Sequence, residues 1–174
     1  MARILDKIKN IGLVAHDARK DDLLDWVRFN AGRLVKHNII STGTTGKLVG
    51  EMFEEIFNGK DITYNITKLK SGPLGGDQQI GSLITEGKID ILIFLTDPMT
   101  TQPHDVDVKA LVRLSTVYNI AIACTKSSAD FMISSKLFDE EYNPVLPDYE
   151  SYLKRLGEKN DEPETPEPPE ASGD

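Results

Sequence analysis

Five short apolar runs recur along the chain, and each is closed by small or polar residues. The runs are rich in β-branched side chains, which is typical of buried strands in a parallel sheet, although their period alone does not separate them from buried helix segments. The predicted strands are Ile11–Ala15, Ile39–Thr42, Ile66–Leu69, Ile89–Leu95 and Ile120–Cys124.

Stretches with apolar residues at helical spacing separate these runs. Several begin with acidic residues, such as Asp21 and Asp105, as is favoured in the first turn of a helix, and Gly87 is predicted to cap the end of one. The alternation of strand and helix predicts βαβ units. We therefore expect an α/β fold: an open three-layer domain with a five-stranded parallel sheet flanked by helices. An α+β arrangement is the alternative if the weakest strand, Ile66–Leu69, does not form.

Charge is distributed unevenly along the 174 residues. Residues 158–174 hold seven acids, one lysine and four prolines, so this end carries −6 of the total charge of −8 and leaves −2 for the rest. We predict a single catalytic domain in residues 1–157 and a disordered acidic tail in residues 158–174. The nearly neutral body lacks the basic surface that nucleic-acid binding requires, so no nucleic-acid partner is expected.

Membrane and disulfide classes of protein do not fit the sequence. No apolar stretch approaches the roughly 20 residues that a membrane-spanning helix needs, and no secretory leader pattern is present. The single cysteine, Cys124, excludes a disulfide framework within the chain and a cysteine-cluster metal site. We expect a soluble, cytoplasmic protein with no membrane partner.

Glycines and small hydroxyl residues follow two of the predicted strands, where open α/β sheets bind their ligands. Thr42–Gly46 reads TGTTG and Ser71–Gly76 reads SGPLGG. Glycines let backbone amides approach an anion, and a helix N-terminus adds partial positive charge. Either turn alone is explained by an ordinary helix cap. The two together, with Lys20 as a nearby cation, indicate a site for phosphate or a small phosphomonoester.

Carboxylates crowd the same predicted edge of the sheet, at Asp17, Asp77, Asp97 and Asp107. The simpler interpretation of such residues is helix capping. Asp77 differs because it directly follows two glycines that would expose it at the site. Neighbouring carboxylates raise the pKa of a carboxyl group, which suits a general base.

Two of the three histidines, His16 and His104, follow predicted strands. His104 is a candidate proton carrier or hydrogen-bond donor to a substrate oxygen, and a structural role is equally open. His37 lies in a polar helical segment and is predicted at the surface. No histidine spacing typical of a metal site is present, so we expect no metal. The aromatic residues Trp26, Phe29 and Phe94 are predicted to pack in the core or in an interface.

In combination, these motifs resemble one family, methylglyoxal synthase. The resemblance extends from about Ile11 to Leu156. It rests on LVAHD with a lysine three positions on, TGTTG, SGPLGGDQQ, EGKIDILIF followed by DP, and PHDVDVKALVRL. The allosteric domain of carbamoyl-phosphate synthetase is similar in fold but lacks the GGDQQ and PHD elements.

The resemblance implies a lyase that converts dihydroxyacetone phosphate to methylglyoxal and inorganic phosphate, with no cofactor. It also implies a homohexamer that phosphate inhibits. Asp77 corresponds to the catalytic base and His104 to the residue that serves the enediol oxygens, while Asp97 and Asp107 would tune these two groups. The implied substrate-binding residues are His16, Asp17, Lys20, Thr42, Gly43, Thr44, Thr45, Ser71 and Gly72.

The sequence departs from the family pattern in two places. The segment Glu51–Asn65 is several residues longer than expected, which predicts an extended second helix or loop. An arginine that the family places after a PDY segment is matched here by Leu156, with Arg155 one position before, so Arg155 is the weaker candidate. Arg113 fits the family pattern better and is predicted in a subunit interface or allosteric relay, or in a simple surface ion pair.

Two other functions stay open from the residues. A phosphate- or nucleotide-sensing module would need the threonine-rich turn but neither a base nor a proton carrier. An isomerase acting on the same substrate would use similar groups and would retain the phosphate.

Overall fold

All five predicted strands form, with ends within two residues of the predicted ones. The computed structural model describes residues 4–100 and 105–160. The strands are β1 (Asn10–Ala15), β2 (Asn38–Ser41), β3 (Asn65–Lys68), β4 (Ile91–Leu95) and β5 (Ala121–Ala123). The helices are α1 (Lys20–Leu34), α2 (Gly43–Phe57), α3 (Gly76–Thr85), α4 (Asp105–Val117), α5 (Lys126–Ser134) and α6 (Glu150–Asn160).

The strands make one parallel sheet in the order β3-β2-β1-β4-β5. Because β3 pairs with β2 along its whole length, the α+β alternative is wrong and the three-layer α/β prediction is confirmed. The chain winds outward from β1 to β3 and then crosses back to β4 on the other side of β1. This reversal opens a crevice between β1 and β4 at their carboxyl ends, where ligands bind in folds of this type.

Helices cover both faces of the sheet. Leu23 of α1, Phe53 of α2 and Ile133 of α5 belong to one buried cluster, whereas Ile80 of α3 and Leu111 of α4 belong to a second cluster on the opposite face. Strands buried on both sides need apolar residues at every position, and β4 (ILIFL) is buried throughout. The sequence shows continuous apolar runs, rather than alternating ones, for this reason.

One expectation about a single residue is wrong, and another is tested only in part. Phe29 lies on the outer side of α1 and is 89 % exposed, so it does not pack in the core, and its packing in an interface stays a prediction. His37 is not at the surface, because it directly precedes β2 and is only 3 % exposed. Its Nδ1 accepts the backbone N–H of Lys9 at 3.1 Å, and its Nε2 lies 3.2 Å from Oδ1 of Asp139. These partners lie 28 and 102 positions away along the chain, so no local pattern indicates them.

A network of charged groups surrounds His37 at the amino ends of the strands. Lys9 is 1 % exposed, and its Nζ donates to the carbonyl oxygens of Asp6 and Glu140. Desolvation lowers the pKa of Lys9, although nearby carboxylates oppose the shift. Arg33 binds Asp139 and two further backbone carbonyls. The network holds the segment after α5 against the amino ends of the strands.

The protonation of His37 should govern stability at mildly acidic pH. Burial lowers the pKa of His37 below its ordinary value of 6.5 and outweighs the opposing hydrogen bond to Asp139. The unfolded chain therefore takes up a proton near pH 6.5, whereas the folded chain does not. The free energy of unfolding should fall as the pH drops below about 6.5, by up to about 1.4 kcal/mol per pH unit, until the folded-state pKa is reached.

His37→Asn retains an acceptor for the Lys9 amide and removes the titrating ring. We expect this variant to have a flatter profile of unfolding free energy against pH, between about pH 5 and pH 7, than the unsubstituted chain. Urea denaturation across a pH series measures both profiles. An unchanged slope in His37→Asn would assign the acid sensitivity to other groups.

Candidate active site

A cavity of about 250 Å³ opens at the carboxyl ends of the central strands. Its walls come from the turns that follow β1, β2 and β3 and from the first turn of α3, with Phe94 of β4 beneath. Most of the predicted site residues line it: His16, Asp17, Lys20, Thr42, Thr44, Thr45, Ser71, Gly72 and Asp77. The crossover of the sheet therefore brings together residues from four separate segments of the chain.

The start of α2 has no side-chain cap from any described residue, as is also the case at the starts of α1 and α3. Thr42 is the N-cap, yet its side chain makes no capping hydrogen bond to any of the residues that the structure describes. The contrast is Thr125 at the start of α5, whose Oγ1 accepts the backbone N–H of Ser128 at 3.1 Å. A capping side chain at α2 would occupy the amides of Thr44 or Thr45, which line the cavity. Amides and hydroxyls of this turn, at the positive end of the helix dipole, are suited to an anion.

The turn after β3 lies directly against the α2 turn. The backbone N–H of Gly43 donates to the carbonyl of Lys70 at 3.1 Å, and the N–H of Gly76 donates to the carbonyl of Ser71 at 2.9 Å. A Cβ atom on Gly43 would lie 2.9 Å from the nitrogen of Ser71, and one on Gly76 would lie 2.1 Å from the carbonyl oxygen of Lys70. Glycine is needed at both positions because backbone is packed on backbone.

A cation and a carboxylate lie at the cavity mouth. Lys20 is the first residue of α1, and its Nζ pairs with Oδ1 of Asp17, whose side chain is 93 % exposed. An ion pair this exposed is worth little, so the Lys20 ammonium can be shared with an incoming anion at small cost. Lys20 therefore provides positive charge in the cavity that the two glycine-rich turns also line.

Asp77 is the buried carboxylate of the site, with an exposed fraction of 2 %. It lies in the first turn of α3 and lines the cavity. Asp77 also borders a second cavity of about 290 Å³ between α3 and α4, and Asp107 lines that one. Asp107 thus approaches Asp77 from the α4 side and does not line the main cavity. This arrangement fits a supporting role for Asp107 better than direct contact with substrate.

His16 is held in one tautomer by the loop after β4. Its Nδ1 accepts the backbone N–H of Asp97 at 3.0 Å, and the ring meets Phe94 edge-on at 5.3 Å. Because Nδ1 accepts a hydrogen bond, the proton of the neutral ring resides on Nε2. His16 can therefore present an N–H donor.

Asp97 contacts His16 through its backbone rather than through its carboxylate. Its Oδ1 accepts the N–H of Met99 at 3.0 Å. The hydrogen bond from Thr100, followed by the one from Met99, lowers the pKa of Asp97 below its usual value of 3.8. The side chain therefore stays ionised and shapes the loop that orients His16.

The remaining predicted residues lie elsewhere. His104 lies outside the described residues. Gly43 does not line the cavity and serves the contact between turns. Arg113 is on the exposed side of α4, and Arg155 on α6 is exposed with its Nε donating to the carbonyl of Ser151 at 3.3 Å. Neither arginine borders the cavity within this single chain.

One contact at the site has no counterpart among the predicted residues. The side-chain oxygen Oε1 of Gln79 accepts the backbone N–H of Lys70 at 2.8 Å. Gln79 belongs to the motif SGPLGGDQQ, but the motif alone assigns no role to either of its glutamines. The partner is a backbone amide, which leaves no mark in the sequence.

Among residues 4–100 and 105–160, no three His, Cys, Asp or Glu side chains converge in a way that could hold a metal ion. None of the helices that the structure describes is long and apolar enough to cross a bilayer.

The fold and the site define a parallel α/β domain whose cavity holds a threonine- and glycine-rich helix start and a buried carboxylate. The family model described as MGS-like domain matches residues 22–124. The chain belongs to the methylglyoxal synthase family.

The match between this chain and similar proteins covers almost the whole length of those proteins. A methylglyoxal synthase from Oleidesulfovibrio alaskensis is 54 % identical over 151 residues, which are 87 % of this chain and 97 % of that protein. A methylglyoxal synthase from Proteus mirabilis is 51 % identical over 152 residues, which are 87 % of this chain and 94 % of that protein. The crystal structure of methylglyoxal synthase from Elizabethkingia anophelis is 49 % identical, covers 95 % of this chain and 99 % of that one, and superposes with a TM-score of 0.78.

Gly76→Ala tests whether the close packing of Gly76 on Lys70, within the loop that leads into α3, holds the site together. The added methyl group would collide with the Lys70 carbonyl, a backbone atom that cannot rotate away. We expect a loss of about 1–3 kcal/mol in the free energy of unfolding and weaker phosphate binding, because the Lys70 peptide, which also accepts the N–H of Gly43, must move.

Gly32→Ala in α1 is the matched control, since nothing lies within 4 Å of the new methyl group. This control should gain about 0.5–1 kcal/mol from helix propensity alone. Urea denaturation and phosphate calorimetry measure both variants. A Gly76→Ala protein as stable and as tight a binder as the Gly32→Ala control would contradict the packing argument.

Proposed function

We propose that the chain acts as a methylglyoxal synthase, a carbon–oxygen lyase that converts dihydroxyacetone phosphate to methylglyoxal and inorganic phosphate. The observation that carries the proposal is the placement of a buried carboxylate, Asp77, in the same small cavity as an uncapped, threonine-rich helix start. A phosphate-sensing site needs only the second of these features. The methylglyoxal synthases to which the chain is similar, over nearly their full length, support the same activity.

The reaction begins with proton removal. Asp77 accepts a proton from the hydroxymethyl carbon beside the carbonyl, and the C–H electron pair forms the double bond of an enediolate. The negative charge that develops on the carbonyl oxygen needs a hydrogen-bond donor held in place beforehand. Nε2–H of His16 is such a donor, fixed by the amide of Asp97.

Phosphate elimination completes the chemistry. The hydroxyl proton on the first carbon passes to the enediolate oxygen, and an electron pair of that hydroxyl oxygen forms the aldehyde C=O. The C=C electron pair moves to form a double bond to the third carbon, the C–O bond to phosphate breaks, and its electron pair leaves with the phosphate. The resulting enol takes a proton on that carbon and becomes methylglyoxal. The amides at the start of α2, the turn at Ser71 and the Lys20 ammonium stabilise the charge on the leaving group.

The α2 turn and the turn after β3 together form the phosphate grip, and its geometry separates this reaction from isomerisation. Elimination is easiest when the C–O bond to phosphate stands perpendicular to the enediolate plane, because the breaking bond then overlaps the π electrons. A grip that holds the phosphate out of the plane favours loss of phosphate, whereas one that holds it in the plane favours its retention. The α2 turn and the turn after β3 hold the phosphate from two directions, which restricts rotation about that bond.

Further properties follow from the family resemblance and are part of the proposal. They are a homohexameric assembly, inhibition by phosphate, action in the cytoplasm without a cofactor, and the role of His104 at the enediol oxygens. Asp107 would adjust Asp77 from the α4 side. For Arg113 and Arg155, exposure on the single chain is compatible with contacts between subunits.

Asp77→Asn removes the proposed base while it preserves size and hydrogen bonding. Purified protein is incubated with dihydroxyacetone phosphate, and methylglyoxal and phosphate are measured together. We expect equimolar products from the unsubstituted protein and a loss of about 10²- to 10⁴-fold in kcat for Asp77→Asn. Asp61→Asn, in the exposed loop after α2, is the matched control and should retain full activity. Phosphate binding without either product would indicate a sensing module, and glyceraldehyde 3-phosphate without free phosphate would indicate an isomerase.

Thr45→Val tests the phosphate grip. Thr45 is buried at the cavity, and the substitution replaces its hydroxyl with a methyl group of similar size. We expect KM for dihydroxyacetone phosphate and the inhibition constant for phosphate to rise together by about tenfold or more, because a hydrogen bond to a charged group is lost. Thr67→Val on the exposed side of β3 is the control and should change neither constant. An effect on kcat alone would argue that Thr45 does not hold the phosphate.

A further inference from the structure

Three turns of the chain must keep fixed relative positions for the proposed reaction. The α2 turn and the turn at Ser71–Gly72 hold the phosphate, whereas the first turn of α3 carries the base, Asp77. The α2 turn belongs to one segment and the other two turns to a second, continuous one, so contacts both between the segments and within the second one fix the distance from base to leaving group. A displacement of about 1 Å in such a constellation costs up to about 10²-fold in rate.

The backbone of Lys70 lies at the meeting point of these turns. Its carbonyl oxygen accepts the N–H of Gly43 at 3.1 Å, which ties it to the α2 turn. The same oxygen lies against Gly76, where a Cβ would come within 2.1 Å of it. A shift of the Lys70 peptide therefore changes the spacing between the phosphate grip and the residue that precedes Asp77.

Lys70 follows β3, the edge strand of the sheet that the structure describes. The preceding amide, at Leu69, donates to the carbonyl of Ser41 and so faces β2. The amide of Lys70 is bound by a side chain instead, since Oε1 of Gln79 accepts it at 2.8 Å.

Gln79 thus connects α3 to the phosphate grip by a side chain. Its oxygen reaches from the first turns of α3 across to Lys70, nine positions earlier in the chain. Because Asp77 is two residues before Gln79 on the same helix, a fixed Gln79–Lys70 hydrogen bond also fixes Asp77 relative to Ser71. Gln78 is exposed and makes no such contact within the described residues.

We propose that Gln79 is a positioning residue. It holds the phosphate-binding turn at Ser71–Gly72 at a fixed distance from Asp77 and thereby favours phosphate elimination over return of the proton to the substrate carbon. This inference rests on the proposed function. Gln79 touches neither substrate nor base. Without the Gln79 side chain, the α2 turn and Lys20 still bind phosphate, so the substrate still binds. The turn at Ser71 no longer restricts rotation about the C–O bond to phosphate.

Gln79→Met removes the acceptor with little change in side-chain length. We expect kcat for phosphate release to fall about tenfold or more, while KM changes by less than about threefold. In deuterated water, recovered dihydroxyacetone phosphate should carry more deuterium per phosphate released than with the unsubstituted protein. The base still removes its proton in this variant, but elimination follows less often.

Two variants serve as controls. Gln79→Glu retains an oxygen acceptor at the same reach and should restore the kcat and the deuterium ratio of the unsubstituted protein. Gln78→Met makes the same chemical change on the neighbouring, exposed position and should leave both unchanged. A role limited to folding would lower stability and active fraction without altering the deuterium ratio.

Several results would overturn the inference. They are a Gln79→Met enzyme that matches Gln78→Met, a raised KM with unchanged kcat, or a lower kcat with no added deuterium. If Gln79→Met does not fold, Gln79→Ala carries the same comparison, and hydrogen exchange of the Lys70 amide in the unsubstituted protein tests the contact itself. Rapid exchange of that amide would refute a stable Gln79–Lys70 hydrogen bond.

Failure of the proposed function has a different signature. If the unsubstituted protein releases neither methylglyoxal nor phosphate, the lyase assignment fails. The Lys70 amide would still support the Gln79–Lys70 hydrogen bond if it exchanges slowly in the unsubstituted protein and in Gln78→Met but rapidly in Gln79→Ala. Equal exchange in all three proteins would refute it.

Discussion

The site depends on how closely three backbone turns approach one another around the carbonyl of Lys70. Gly43 donates to that carbonyl, and Gly76 lies so near it that no side chain fits between them. Backbone packed on backbone is stiff, since it has no rotamers to relax. The phosphate-binding amides and the carboxylate of Asp77 consequently form one rigid unit, although they belong to segments more than thirty positions apart in the sequence.

This rigidity has an electrostatic purpose. The proposed reaction moves negative charge from a carbon to a leaving phosphate within one small cavity. Fixed amides at the start of α2 and a donor on His16 stabilise that charge without having to reorient, which is the main advantage of an enzyme site over water. The ion pair of Lys20 with the exposed Asp17 adds a cation that an incoming phosphate can recruit.

The sequence predicts those parts of the fold and the site that depend on local patterns. Continuous apolar runs mark the strands, and TGTTG marks the start of a helix at the edge of the cavity because its pattern lies within five consecutive residues. Contacts between distant segments escape such a reading. The amide of Asp97 that orients His16 is 81 positions away, and the partners of the buried His37 are also remote. For Gln79 the motif was visible, but its backbone partner was not.

The two ends of the sheet divide the work between function and stability. At the carboxyl end, α2 starts without the side-chain cap that stabilises α5, and such a cap is worth about 1 kcal/mol. A site that reserves amides for a ligand gives up that stabilisation whenever the ligand is absent. At the amino end, every charged side chain of the Lys9, Arg33 and Asp139 network has a hydrogen-bond partner. Side-chain hydrogen bonds thus stabilise the fold mainly at the end of the sheet opposite the candidate site, while close backbone packing holds the site itself.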